Sequence, residues 1–503
     1  MIWEAVYAVS VAALVYSLVK YLAAIFELKN YPPGPFPLPL IGNLHLIGKK
    51  PEESFKKLSK VYGDVFSVSF GSQRIVVINS IHPAREALIT KGDDFAGRPQ
   101  DIYLAEIYSR GYEDIGFSDY GPKWKLMRKL AHASMKMYGT GLEDLEKKVL
   151  LEIQALNNRL DKTSGSLIDP KNDISLAVLN VICSIVFGSR YDIKDKEFLQ
   201  VVEYMTLIIQ GFENASIISI FPWLRFFPNK GLSILKRGIQ LRDEILDKKL
   251  KEHRDSFDST NIRDFTDSLL REFSQEATED NKVHKYLNDT NLEQIVSDMF
   301  FSGAETTATT ILWCFVYLVV WPDVQEKITE ERKKKIGERV PCLQDRGNLP
   351  YLEATTQETL RLSSIVPLGA PHKAMRDNTL NGHCIPQGTQ VFVNHWAFHY
   401  DEREWEDPYA FKPERFLDDN GNFVHGLNKS FLPFGAGRRV CVGEAMAKVE
   451  LFLFLSNILY RYEVRQVAGE AGPDVNGVLG VVLAPKPYKI QFVKRPQAAD
   501  LEF

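Results

Sequence analysis

The sequence predicts a mainly α-helical chain with small β-sheets, preceded by an N-terminal membrane segment. Apolar residues recur at helical spacing in most segments after Pro83. Only Val65–Val68 and Arg74–Ile78 have the pattern of strands, and a tight turn joins them. A glycine-rich, basic loop with a single cysteine, Cys441, precedes the last long apolar helix. This loop is the part of the chain whose residues point most directly to chemistry.

Composition excludes several classes of protein. The 503 residues carry a formal net charge of -4, so no overall basic field indicates nucleic-acid binding. The five cysteines are scattered, odd in number and form no C-x-x-C pair, which is typical of a reducing compartment rather than of a disulfide framework or a zinc site. The length allows two or three ordinary domains or one large domain with a well-buried core.

Residues 1–28 are predicted to be a membrane anchor, because Ala5 to Phe26 is almost entirely apolar and about long enough to cross a bilayer. Lysines follow it and Glu4 precedes it, which predicts a cytoplasmic body. The alternative is an amphipathic surface helix with Lys20 snorkelling. The proline-rich residues 29–50 are predicted to be a stiff hinge, or else a partner-binding polyproline segment. Residues 51–503 form the remaining body.

Several long helices are predicted, around residues 122–135, 142–160, 174–187 and 235–253. The polar stretch 255–291 is predicted to be a surface loop with helical fragments. Trp124 and Arg128 lie four residues apart and therefore share a helix face. An indole N–H and a guanidinium there can both reach a carboxylate, although a core edge with a salt bridge is the simpler interpretation.

The segment Leu292–Val320 is long and mostly apolar, and Asp298 and Glu305 interrupt it. Its continuous apolar run, Ile311–Trp321, is too short to cross a bilayer, so we predict a helix through the centre of a large core. Within it, Thr306 follows Glu305, and its hydroxyl can bond to a backbone carbonyl. The groove that this leaves in the helix could hold a small ligand and a water. A kink without chemistry is the alternative.

Glu358 and Arg361 lie three residues apart between apolar neighbours, so the pair is predicted to be at least partly buried. A buried pair needs further partners, and Arg415 in the segment Phe411–Phe416 offers one. We predict a network of these three side chains that clamps the chain just before the cysteine loop.

Cys441 is interpreted as an iron ligand. It lies at the start of a predicted helix, Ala445 to Leu459, beside two arginines, and both features favour a thiolate. Gly435 and Gly437 allow turns that other residues resist, and Phe434 could cover the sulfur. A small buried hydrophobe is the alternative for an isolated cysteine.

The spacing Phe434-x-x-Gly437-x-Arg439-x-Cys441-x-Gly443 resembles the haem-binding signature of the cytochrome P450 family. The other features occur in that family's order and at its approximate distances, so the resemblance covers essentially the whole chain. It implies a cytochrome P450 fold behind a single transmembrane helix of the endoplasmic reticulum. Residues 51–503 would be a cytoplasmic, haem-binding catalytic domain that inserts one oxygen atom of dioxygen into a lipophilic substrate.

The same resemblance implies roles for individual residues and partners. Cys441 would hold haem b, and Thr306 with Glu305 would pass protons during oxygen activation. Electrons would come from NADPH through a membrane-bound reductase, with cytochrome b5 as a second partner. The residues that would bind the haem propionates are Arg98, Trp124, Arg128, His372 and Arg439.

Within the family, stretches such as Phe95–Gln100 and Phe221–Lys230 are most similar to those of steroid 17-alpha-hydroxylases. This implies steroid 17-alpha-hydroxylation, with 17,20-lyase activity as an additional expectation. Arg242 and Asp298 match residues of the steroid site, whereas Met205 and Ile107 replace an asparagine and an alanine. The predicted substrate pocket comprises Ile107, Met205, Arg242, Asp298, Ile365 and Val482. The alternative is a related monooxygenase of foreign compounds, planar aromatics or fatty acids.

Overall fold

The computed structural model describes residues 21–496 apart from 24, 138–141, 275–284, 427, 468, 470 and 471, together with 3, 4, 7, 10, 11, 15 and 19. The chain divides into two compact units. The first unit comprises Met1–Pro99, Leu368–Asp401 and Gly435–Arg439. The second comprises Gln100–Pro367, Glu402–Phe434 and Val440–Phe503. Half of the predicted anchor, residues 1–28, lies outside the described residues, and the division into anchor, hinge and catalytic domain stays a prediction.

The first unit contains the main sheet. Its helices are α1 (Pro51–Tyr62), α2 (Ile81–Arg85), which a π-helical turn (Glu86–Thr90) continues, and α14 (His395–His399). Its strands are β1 (Val65–Phe70), β2 (Gln73–Ile78), β3 (His372–Lys373), β4 (Asn378–Leu380), β5 (His383–Ile385) and β6 (Gln390–Val393). The sheet order is β1-β2-β6-β3, with β2 and β6 parallel and the other neighbours antiparallel. The first two strands confirm the predicted hairpin.

The second unit is mostly helical. Its helices are α3 (Tyr103–Tyr108), α4 (Pro122–Met137), α5 (Leu142–Asp161), α6 (Lys171–Val186), α7 (Lys196–Ala215), α8 (Ile217–Ile220), α9 (Lys230–Asp255), α10 (Phe265–Ser274), α11 (Asp289–Val320), α12 (Pro322–Ile336), α13 (Pro350–Ser363) and α15 (Glu444–Arg461). Two antiparallel pairs complete it, β7 (Tyr462–Arg465) with β10 (Gln491–Lys494) and β8 (Gly477–Leu479) with β9 (Leu483–Pro485).

Helix α11 runs through the core of the second unit, as predicted. Among the described residues it alone is long and apolar enough to cross a membrane, but 72% of its most apolar window is buried inside the protein. Asn288 begins it with a capping box, since its side chain accepts from the Asn291 N–H while the Asn291 side chain accepts in return. The helix is continuous through Gly303, and the Thr306 hydroxyl bonds back to the Ser302 carbonyl without breaking it.

The polar stretch 255–291 is more structured than a surface loop. Helix α10 buries Phe265, Leu269 and Leu270 although the flanking sequence is acidic. Its acidic residues are paired, because Asp267 binds Arg263 and Asp264 accepts a hydrogen bond from His253. The predicted helical fragment is confirmed, but its burial was not predicted, since the partner of Asp264 lies on another helix.

Candidate active site

Cys441 lies where an irregular loop enters α15. Its backbone N–H donates to the Phe434 carbonyl at 2.9 Å, which closes the loop. The residue is exposed although the helix that follows is buried from Val449 onwards. The Phe434 ring packs beneath the Lys448 ammonium group at 5.4 Å. A partly exposed cysteine in an otherwise closed loop is suited to binding an external group.

Opposing effects act on the pKa of the Cys441 thiol. Desolvation by the surrounding protein raises the pKa of Cys441, while N–H groups of Gly443 and Glu444 and the guanidinium of Arg128 act to lower it. The net pKa of the thiol is raised, because desolvation outweighs the N–H groups at the helix N-terminus. A bound cation such as iron would supply the missing positive charge. The donor set therefore fits a haem iron.

The backbone conformation of the same loop requires glycine at two positions. Gly435 and Gly437 have φ of 72° and 70°, a conformation that glycine adopts without strain. A Cβ at Gly437 would lie 1.7 Å from the Leu88 carbonyl oxygen, so no other residue fits there. The predicted role of these glycines is confirmed within the first unit.

Trp124 and Arg128 share one face of α4, as predicted, with the guanidinium carbon 5.6 Å from the indole ring centre. Arg128 donates to the Val440 carbonyl, the residue before Cys441. The Trp124 indole N–H donates to the Ile115 carbonyl at 3.0 Å. Arg128 therefore connects α4 to the cysteine loop, and its binding of a propionate stays a prediction, as does that of Trp124.

A second cationic group lies within the first unit, where Arg98, His372 and Arg439 are close together. Arg98 donates to the Pro371 carbonyl at 2.9 Å, and Arg439 donates to the Ala96 carbonyl at 2.8 Å. Burial lowers the pKa of His372 well below its usual value, and the charges of Arg98 and Arg439 lower it further. Its Nδ1 therefore donates to the Phe95 carbonyl from a neutral ring. A cluster with this sign of charge suits a carboxylate ligand.

Thr306 and Glu305 are adjacent on α11 but make different contacts. The Thr306 hydroxyl donates to the Ser302 carbonyl at 2.7 Å. The Glu305 carboxylate accepts from Thr309, and burial raises its pKa, with nearby Glu213 adding to that effect and Lys171 opposing it. A carboxyl group with a raised pKa is closer to neutral pH and is better able to donate a proton.

Five of the six predicted pocket residues fall into two groups in the second unit. Arg242 is fully buried, donates to the Tyr108 carbonyl at 2.7 Å and lies 4.8 Å over the Tyr108 ring. Asp298 accepts from the Ile115 N–H, and burial and Asp114 raise its pKa well above the usual value. Ile107 precedes Tyr108 on α3. These residues surround Tyr108.

The other group forms around the β8–β9 hairpin. The Leu483 N–H donates to the Ile365 carbonyl at 2.8 Å, so Val482 and Ile365 lie on joined segments. Val482 and Met205 are both buried, the latter on α7. The described contacts place Met205 in neither group.

Tyr108 is the residue that sequence reasoning missed. Its hydroxyl is 3.2 Å from the Ser297 hydroxyl, and the rings of Phe117, Phe212 and Phe301 pack around it at 5.2–6.3 Å. A buried tyrosine with its hydroxyl next to a serine is a polar point in an aromatic surround. Its position directly after Ile107, a predicted pocket residue, was the available signal.

Glu358 and Arg361 form the predicted clamp. Both side chains are fully buried, and two parallel hydrogen bonds of 2.7 Å join them. Arg415 approaches Glu358 at 3.3 Å, and Arg361 also donates to the Pro408 and Ala410 carbonyls. The network therefore holds the segment 408–415, which leads towards the cysteine loop.

Replacing Glu358 by Gln is expected to lower the thermal unfolding temperature strongly. It leaves the Arg361 guanidinium buried without its counter-charge, a change that costs about 3–5 kcal/mol in comparable sites. Differential scanning calorimetry measures the shift. Glu326→Gln on the exposed face of α12 is the matched control and is expected to be neutral. Equal unfolding temperatures for the two variants would contradict a stabilising role of the clamp.

Comparison with known proteins agrees with this arrangement. The family model "Cytochrome P450" matches residues 32–492. A relative named "Steroid 17-alpha-hydroxylase/17,20 lyase" from Ictalurus punctatus is 42% identical over 91% of this chain and 90% of its own length. "Cytochrome P450 2U1" from Mus musculus is 35% identical over 92% of this chain and 91% of its own length.

A solved structure shares the fold. "Zebra fish cytochrome P450 another structure with Progesterone" has a TM-score of 0.80 and is 36% identical, covering 88% of this chain and 99% of its own. The family match spans both the cysteine loop and the clamp, the two features that the sequence alone singled out. The chain thus belongs to the cytochrome P450 family, haem-thiolate monooxygenases that bind haem b and take electrons from NADPH through a reductase to oxidise lipophilic substrates.

Proposed function

We propose that the protein hydroxylates a steroid at carbon 17, with cleavage of the 17,20 bond as a further activity. The observation that carries this proposal is the set of relatives named "Steroid 17-alpha-hydroxylase/17,20 lyase", which are 39–42% identical over about nine-tenths of the chain. The residues around Tyr108 support it. A few polar groups among aromatic rings suit a rigid, apolar ligand with few oxygen atoms.

When bound, a haem with a thiolate ligand supplies the chemistry that splits dioxygen and oxidises a C–H bond. The protein contributes the Cys441 sulfur, donors for the propionates and a route for protons. In this proposal Thr306 presents its hydroxyl proton from α11, and Glu305, with its raised pKa, replenishes it. The apolar lining positions the substrate and excludes bulk water.

A related monooxygenase that acts on foreign compounds, planar aromatics or fatty acids is the second candidate. The departures from the steroid 17-alpha-hydroxylase pattern at Met205 and Ile107 favour it. Met205 is buried and offers no hydrogen-bond donor to a steroid oxygen.

Progesterone and an alkoxyresorufin distinguish these two candidates. Membranes that contain the enzyme, its reductase and NADPH are expected to convert progesterone to 17-hydroxyprogesterone, identified by mass spectrometry. The spectrum of the reduced carbon monoxide complex serves as the control that thiolate-ligated haem is present. Resorufin release without any hydroxysteroid would overturn the steroid proposal, while loss of the shifted Soret band would contradict ligation by Cys441.

Thr306→Ala is expected to raise the NADPH consumed per product several-fold, because the hydroxyl that presents the proton is lost. Thr310→Ala is the matched control, since Thr310 makes the same backbone bond one turn later, to the Thr306 carbonyl at 2.9 Å. Parallel assays of NADPH oxidation and product measure coupling. A similar loss in both variants would indicate a change in the helix rather than in proton delivery, and Thr306→Ser should restore coupling.

We further propose that residues 1–28 anchor the protein in the endoplasmic reticulum membrane, with the catalytic domain in the cytoplasm and residues 29–50 as the hinge. Large apolar side chains among the described residues of this segment are exposed in the fold, including Trp3, Val15 and Phe26. Exposed apolar side chains suit a lipid environment.

Deleting residues 1–28 should release the protein from membranes into alkaline carbonate extracts, where the full chain stays in the pellet. Retention of the truncated chain would contradict a single anchor, and would indicate further membrane contact by the body.

Cytochrome b5 remains part of this proposal as a partner of the cytoplasmic domain, with basic residues such as Lys448 as contacts. Lys448 is paired with Glu444 at 2.6 Å in the isolated chain.

A further inference from the structure

Ser302 presents a hydroxyl group at an exposed position in the middle of α11. Residues 291–319 are all described, and Ser302 is the only one of them that is exposed, although this helix runs through the core. Thr306, one turn later on the same face, is half-buried. Gly303 by contrast packs against α6, since a Cβ there would lie 2.9 Å from the Ile182 side chain. The exposed strip of α11 therefore carries two hydroxyl groups, those of Ser302 and Thr306.

The proton of the Ser302 hydroxyl is already used within the helix. Its Oγ donates to the Asp298 carbonyl at 2.6 Å, just as the Thr306 hydroxyl donates to the Ser302 carbonyl at 2.7 Å. A hydroxyl group has one proton and two lone pairs, so the Ser302 oxygen can only accept hydrogen bonds from other groups in this arrangement. It is therefore suited to a donor such as an alcohol and not to a ketone oxygen.

The neighbouring residues place this acceptor between an aromatic surface and the proposed proton route. Phe301, the preceding residue, packs against the Tyr108 ring at 5.2 Å and against the Phe212 ring at 5.7 Å. Thr306 lies four residues after Ser302, which corresponds to about 6 Å along the helix axis. A substrate that is held by the aromatic rings and oxidised near Thr306 would thus have its reacting carbon within about one helical turn of the Ser302 oxygen.

The adjacent carboxyl groups favour an uncharged ligand. Burial and nearby Asp114 raise the pKa of Asp298, one turn before Ser302, well above its usual value. The pKa of Glu305 is raised as well, chiefly by burial. Raised pKa values favour neutral carboxyl groups, so these two residues provide little charge to attract a cation or repel an anion. An uncharged alcohol suits these surroundings.

We propose that Ser302 is a positioning residue that accepts a hydrogen bond from the hydroxyl group created by the first oxidation. This inference rests on the proposed 17-hydroxylation, whose product carries such a hydroxyl on the oxidised carbon. The bond would retain the hydroxylated product in preference to its precursor, which has only ketone oxygens. Retention favours a second oxidation before release, as successive hydroxylation and cleavage of the 17,20 bond would need.

Spectral titration of the full-length, haem-loaded protein tests this role, with progesterone and 17-hydroxyprogesterone as the matched ligands. Each dissociation constant is measured from the ligand-induced change of the Soret band, without turnover. Ser302→Ala is expected to weaken binding of 17-hydroxyprogesterone by about two- to ten-fold, the effect of losing one hydrogen bond, and to leave binding of progesterone nearly unchanged. Ser302→Thr, which keeps the hydroxyl group, should bind the hydroxylated steroid as the unaltered protein does.

Thr310→Ala is the matched control, because Thr310 makes the same kind of backbone bond, to the Thr306 carbonyl at 2.9 Å, but is buried. It should change neither dissociation constant. Alanine favours the helix, so Ser302→Ala is expected to fold, and the spectrum of its reduced carbon monoxide complex checks this. Equal losses for both steroids in Ser302→Ala would overturn the proposal, since they would indicate a change of shape, and so would the absence of any loss.

A progesterone titration without any spectral change would contradict the steroid function rather than the role of Ser302. Methyl laurate and methyl 11-hydroxylaurate then replace the two steroids, as an uncharged pair from the fatty-acid class of the second candidate function. A selective loss of the hydroxy ester in Ser302→Ala would support the role of Ser302 for that substrate class. Unchanged binding of the hydroxy ester would overturn it.

Discussion

The buried ion pair of Glu358 and Arg361 is the interaction on which the arrangement of the second unit depends. Neither side chain has any exposed surface, so each would be strongly destabilising without the other. Their remaining hydrogen-bonding capacity is used on backbone groups, since Arg361 binds two carbonyls and the Lys412 N–H donates to Glu358. A helix and an irregular segment that are far apart in the sequence are thereby held in one geometry. The cysteine loop follows from that segment.

The cysteine loop depends on backbone geometry as much as on charge. Gly437 passes so close to the Leu88 carbonyl that no side chain fits, and the Cys441 N–H is used to close the loop. The helix N-terminus contributes N–H groups to the sulfur, but desolvation outweighs them. A bound haem iron would favour the thiolate form of Cys441. This is consistent with the haem that the family requires.

Several features followed from local sequence because they depend on few residues. The hairpin at Val65–Ile78 and the central helix were predicted from periodicity, and the capping box at Asn288 explains why α11 begins slightly before the predicted Leu292. The pair Glu358–Arg361 was predictable because its members lie on one turn of a helix. The burial of α10 was not, since Asp264, which directly precedes it, is paired with His253 on another helix.

The sequence by itself determined the haem-thiolate chemistry, because one cysteine in a glycine-rich loop, a Glu-Thr pair and a charged clamp occur at characteristic spacings. Only the tertiary structure decided how the polar groups are paired. It placed Tyr108 among three phenylalanine rings and joined Arg361 to the carbonyls of Pro408 and Ala410. Both results depend on contacts between segments that are distant in sequence. Such contacts leave no periodic pattern in the sequence. The sequence therefore does not show which groups a buried arginine binds.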